Sequence, residues 1–166
     1  MATLVHRGRT VHSIGELPDV GRKLPGFALT GVGMTDDLGP EVAAGKRLVL
    51  NIFPSIDTGV CAMSVRKFNE LAAGLPDTVV VCISNDLPYA QARFCGAEGI
   101  TNVITASGFR SSFGHDYGVT LVDGPMRTLL SRAVVVADED GTIIHTEQCP
   151  NISEEPDYEA VLTSLR

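Results

Sequence analysis

No run of lysine or arginine occurs in this chain, and acidic residues outnumber basic ones, 20 Asp and Glu against 13 Lys and Arg, for a net charge of −7. Such a balance offers no electrostatic footprint for nucleic acid and nothing that would draw the chain to anionic lipid. No apolar stretch resembles a membrane span. The opening residues, MATLVHRGRTVHSIG, break every apolar run with His, Arg, Gly or Thr, so the apolar core of a signal peptide is missing and a cytoplasmic protein is expected. No Cys-x-x-Cys pair is found among Cys61, Cys82, Cys95 and Cys149, and His6, His12, His115 and His145 show no ligand spacing, so no metal is expected. The glycines of GFALTGVG do not lead from a strong strand into a helix, so no dinucleotide site and no cofactor is expected. A cysteine hydrolase needs a histidine base; His115 and His145 exist, but no nucleophile signature accompanies them.

What is present is an α/β rhythm. The chain has 166 residues, 44% hydrophobic and 20% charged, which suits one globular domain over 1–166. Residues 3–14, TLVHRGRTVHSI, hold two short β-prone runs around HRGR and predict an amino-terminal hairpin, with a short strand expected at Phe27 to Thr30, and this first quarter reads as an appendage. RLVLNIF (47–53) and TVVVCIS (78–84) are nearly continuous apolar runs, the mark of central strands covered on both faces. Between them Val65, Phe68, Ala72 and Leu75 recur at helical spacing, and Gly74 and Pro76 end the run. LPYAQARFCGAEG (87–99) predicts a second helix with Gly96 as its stop, and NVITA (102–106) a small strand. SRAVVVADEDGTIIHTEQ (131–148) has hairpin grammar, and SEEPDYEAVLTSLR closes with Tyr158, Val161, Leu162 and Leu165 on one helical face. A βαβ half, a hairpin and a closing helix describe a thioredoxin-like layout, which does not by itself settle function.

The chemistry gathers at FPSIDTGVCAMSVRKF (53–68), where Cys61 follows a Thr-Gly-Val turn at the start of the predicted helix with no histidine beside it. An ordinary thiol, with a pKa of about 8.5, is only a few per cent ionised at pH 7. A thiol nine-tenths ionised there needs roughly 3.4 kcal/mol of differential stabilisation. A helix terminus supplies about 0.3 to 2 kcal/mol of it, so a cation must supply the rest. Arg66 and Lys67 are expected to turn toward solvent, whereas Arg132 opens an apolar strand and is the better candidate. Thr58, three residues before the cysteine, is placed to exchange a hydrogen bond with the sulfur or to cap the helix; Pro54, lacking an N–H, covers one side of the pocket. Cys82, inside VVVCIS, reads as core packing.

PSIDTGVC fits the peroxiredoxin motif Pro-x-x-x-Thr-x-x-Cys. With RFCGAEG and SRAVVV in the same order, the chain resembles the thiol peroxidase branch, the atypical two-cysteine peroxiredoxins, over most of its length. The resemblance implies a thioredoxin-like fold of peroxiredoxin type, with Cys61 as the peroxidatic and Cys95 as the resolving cysteine. It further implies that Thr58 and Arg132 polarise the peroxide and that Pro54 shields the pocket. Hydroperoxides, with a leaning toward organic ones, are the implied substrates, an intramolecular disulfide the intermediate, thioredoxin the reductant and a homodimer the assembly. Closing a loop of about 34 residues corresponds to roughly 3.8 kcal/mol in the chain-entropy model. Cys149 lies outside the family pattern. The alternative is a peroxide-sensing relay whose oxidised Cys61 passes oxidation to a partner protein; an in-chain resolver favours the enzyme.

Overall fold

The computed structural model describes all 166 residues. An antiparallel hairpin, β1 (Thr3–His6) and β2 (Arg9–His12), precedes the main sheet. The sheet contains β3 (Arg47–Ile52), β4 (Thr78–Ser84), β5 (Ile104–Ser107), β6 (Ala133–Ala137) and β7 (Ile143–Gln148), in the order β5-β4-β3-β6-β7. Helices α1 (Gly59–Ala72) and α2 (Pro88–Glu98) connect the parallel strands β3, β4 and β5, while β6 and β7 run antiparallel. A one-turn helix α3 (Phe113–Asp116) and the closing helix α4 (Tyr158–Ser164) complete the chain.

The apolar runs predicted to be central strands are central. Alternate residues of β3, β4 and β6 supply two cores, one on each face of the sheet. Leu48, Leu50, Ile52, Val81, Ile83 and Val135 pack with Phe113 and Tyr117 on one face. Val49, Val80, Cys82, Val134 and Val136 meet α1 and α4 through Val65, Phe68, Val161 and Leu165 on the other. Each such aliphatic side chain contributes roughly 1.5–3 kcal/mol by leaving water. The β6–β7 turn is held by Asp138, whose Oδ1 accepts from the Asp140 and Thr142 amides at 2.9 and 3.0 Å, with Gly141 at φ +78°.

Three expectations are corrected. Phe27 to Thr30 forms no strand; only the isolated bridges Leu29 to Leu38 and Thr30 to Ser107 occur, because the segment meets a different partner on each side of a single step. Gly96 does not stop α2. The helix runs to Glu98, and Gly99, at φ +66°, makes the left-handed cap. A glycine ends a helix where the backbone turns left-handed, not merely where it occurs. The amino-terminal hairpin is no appendage: Val5 N donates to Pro150 O at 2.7 Å and Ile152 N donates to Val5 O at 2.9 Å, tying β1 to the segment after β7.

Candidate active site

Strand β3 ends at Ile52, and buried Phe53 and Pro54 carry the chain into a loop that delivers α1. Thr58 is the N-cap and Cys61 the third residue of the helix, so the sulfur sits in the first turn. The amides of Gly59, Val60 and Cys61 precede the first bond of the helical ladder, Ala62 N to Thr58 O at 2.9 Å, and have no acceptor within the helix. Such free N–H groups, with the positive end of the helix dipole, favour an anion.

Arg132 closes the arrangement. Its Nη2 donates to Cys61 Sγ at 3.2 Å and its Nε to Ile152 O at 2.9 Å. Arg132 as a whole is only 2% exposed, Cys61 only 1%. None of the ion pairs of the molecule includes Arg132, and its Nη1 is buried with no hydrogen-bond partner. A buried cation without a carboxylate costs several kcal/mol. Here the facing group is the sulfur.

Cys61 and Arg132 line a cleft of about 750 Å³, together with Pro54 and Thr58. The structure thus brings together four of the five residues singled out in the sequence. Thr58 differs in detail: its Oγ1 donates to Ser55 O at 3.0 Å, not to the sulfur, and makes no side-chain cap of the helix. Sequence reasoning missed Asp86. Its carboxylate accepts from Ser55 Oγ at 2.8 Å, Ile56 N at 2.7 Å and Ser84 Oγ at 2.5 Å, clamping the loop before α1 to the end of β4. The only sequence signal was an Asp just past a strand that ends beside the cysteine loop. Replacing Asp86 by Ala strands these donors. The variant is expected to lose about 2 kcal/mol and to melt roughly 4–8 °C lower, as read by thermal unfolding followed by circular dichroism.

The redoxin family model matches residues 19–162. The thiol peroxidase of Mycobacterium tuberculosis is 54% identical over 165 residues, 99% of each chain. The chain belongs to the thiol peroxidase family. The thiol peroxidase of Corynebacterium glutamicum is 50% identical over 99% of both chains. Among solved structures, a peroxiredoxin-like protein from Aquifex aeolicus superposes with a TM-score of 0.90 at 34% identity, covering 98% of this chain and 95% of the other. The thiol peroxidase from Chromobacterium violaceum gives 0.89 at 22% identity, covering 98% of this chain and 95% of that one, a likeness of fold.

In this thiol peroxidase family member the four cysteines are free thiols. Cys95 lies in the last turn of α2, half-buried, and lines a separate hollow with Ile100, Val103 and Thr105; that hollow shares no residue with the Cys61 cleft. Burial pushes its thiol up, and a hydrogen bond with Thr105 partly opposes this. Helix α2 is held to the α1 side by exposed pairs, Arg66 to Glu98 at 2.8 Å and Arg93 to Asp57 at 2.9 Å, and by few fully buried residues, Pro88, Gln91 and Phe94. Cys82 and Cys149 are buried, and burial pushes each thiol up to about 12.

Proposed function

We propose that this chain is a peroxidase that reduces hydroperoxides through Cys61, with Cys95 as the resolving thiol and thioredoxin as the reductant. The observation that supports it most is the buried Arg132 guanidinium, without a carboxylate, donating to Cys61 Sγ at 3.2 Å. In the first step the ionised sulfur attacks the terminal peroxide oxygen, the O–O bond breaks, and the alkoxide that leaves takes a proton to become an alcohol. Cys61 is then a sulfenic acid. Arg132 and the first amides of α1 stabilise the charge that moves from sulfur to oxygen, as fixed donors in a water-poor cleft do. Pro54 walls the cleft on one side, and Thr58 contributes hydroxyl lone pairs at its edge. In the second step Cys95 sulfur attacks the Cys61 sulfenic sulfur, forming the disulfide and releasing water. A thioredoxin dithiol then reduces the disulfide. A homodimer in the cytoplasm follows from the family resemblance; no helix of the molecule is long and apolar enough to cross a membrane.

Steady oxidation of NADPH by thioredoxin reductase, thioredoxin, this protein and a hydroperoxide is the expected result. Consumption that stops after one equivalent of peroxide favours the relay instead. Arg132→Met is expected to slow the first peroxide attack by about 10²-fold or more, measured by stopped-flow. Arg132→Lys, which keeps the charge but not the planar fork, is expected to recover only part of that loss. An unchanged rate in Arg132→Met would leave the guanidinium with a purely structural task.

A further inference from the structure

The Cys61 cleft has a charge that the rest of the chain does not. In a protein of net charge −7, the cleft is lined by Arg7, Arg9, Arg132 and His6, and by no aspartate or glutamate. Arg132 serves the sulfur at the floor. Arg7 and Arg9 belong to the β1–β2 hairpin, are exposed, and make no ion pair or side-chain hydrogen bond within the molecule. The opposite character is present in the same cleft, whose wall includes Val60, Pro125, Met126 and Ile152.

The hairpin is fixed where it is needed. Val5 accepts from Ile152 N at 2.9 Å, and Ile152 O in turn accepts from Arg132 Nε at 2.9 Å. Leu4 and Val11 bury their side chains with Leu121 and Ile152 beneath it. The turn has two central residues, Arg7 at φ +50° and Gly8 at φ +77°, both left-handed. That turn type favours Asn or Asp at its first central position. A long cationic side chain stands there instead, in a region that non-glycine residues adopt at a cost of about 1 kcal/mol or more.

An apolar wall, a cationic rim without internal partners and the Arg132 to Cys61 pair at the floor make a two-ended site. A volume of about 750 Å³ is far more than hydrogen peroxide needs and lies in the range of small-molecule pockets. We infer that the cleft selects organic hydroperoxides that carry a carboxylate, the peroxide lying at Cys61 and Arg132 and the carboxylate at Arg7 and Arg9. This inference rests on the peroxidase reading and names the substrate class of the same site.

The test compares ω-hydroperoxyoctanoate with its methyl ester, two substrates with the same reacting group and chain that differ in charge. Wild type is expected to show kcat/KM about tenfold higher for the acid than for the ester, the effect of 1.4 kcal/mol of additional binding in the transition state. Raised salt is expected to shrink that advantage, since the rim is exposed. In the double variant Arg7→Gln, Arg9→Gln the acid-to-ester ratio is expected to fall toward one. Because the readout is a ratio, any loss of folding or of sulfur reactivity common to both substrates cancels. Equal turnover of acid and ester by wild type overturns the inference and leaves the peroxidase reading standing, as does a ratio that survives in the double variant. Failure to reduce either compound overturns both.

Discussion

Cys61→Ser is expected to abolish peroxide turnover, with residual activity at the level of the buffer control. The replacement is nearly isosteric, so the variant keeps the fold and still meets Arg132, but a hydroxyl is not ionised at neutral pH and is a poor nucleophile toward peroxide oxygen. No other thiol is equipped to substitute. Cys82 is fully buried under α1 with its sulfur accepting from Asn51 Nδ2 at 3.6 Å, and Cys149 is buried after β7, its amide donating to Arg132 O at 2.9 Å and its thiol beside the Glu147 carboxylate. Desolvation pushes both thiols up to about 12, which leaves them un-ionised at neutral pH. Cys82→Ala and Cys149→Ser are therefore expected to retain most of the activity, measured as hydroperoxide consumption with the thioredoxin system. Iodoacetamide at neutral pH is expected to label Cys61 before either of them. Near-normal turnover by Cys61→Ser would end the account of this site.

Much of this site was legible because it is local. Pro54, Thr58 and Cys61 lie within one loop and one helical turn, and the periodicity of Val65 and Phe68 shows where that helix begins and which face it buries. The strands β3 and β4 were legible because burial on both faces demands unbroken apolar runs. Arg132 was visible as a charge opening an apolar strand, as Arg47 also does, but its contact with a sulfur 71 residues away is a product of the fold. The rest depends on meetings that no local pattern encodes. Asp86 becomes a clamp only because β4 ends beside the loop leaving β3, and Ser55 and Ile56 need a partner there. The hairpin enters the cleft only because Val5 pairs with a segment near the other end of the chain. Gly96 was misread for the complementary reason: a glycine permits a helix to end, but the Gly99 backbone and its capping bonds decide where it does.

Cys95→Ser is expected to separate the two half-reactions. The first equivalent of peroxide should be consumed at close to the wild-type rate, because Cys95 lines a hollow that shares no residue with the Cys61 cleft. Thioredoxin-coupled cycling should then collapse, since no in-chain thiol remains to displace water from the sulfenic acid, and Cys61 should pass to the sulfinic state at lower peroxide doses. The proposed resolving reaction includes a conformational step. Cys95 is in the capped last turn of α2, with its carbonyl accepting from Ile100 N at 3.0 Å, and the two cysteines open to different hollows. A disulfide needs Cα atoms within about 7 Å, so in the proposed reaction the end of α2 is expected to unwind and carry Cys95 toward the cleft. What holds its last turn is the exposed Arg66 to Glu98 pair, worth about 0–1 kcal/mol, the burial of Phe94, and just past the helix the Thr101 and Asn102 amides donating to Asn69 Oδ1 at 3.2 and 2.7 Å. Dimedone should therefore trap Cys61 in quantity in Cys95→Ser and sparsely in wild type, where mass spectrometry after one equivalent of peroxide should find a Cys61 to Cys95 bridge. Normal cycling of Cys95→Ser with thioredoxin, or a wild-type bridge from Cys61 to Cys82 or Cys149, would remove Cys95 from the resolving role while leaving Cys61 as the attacking sulfur.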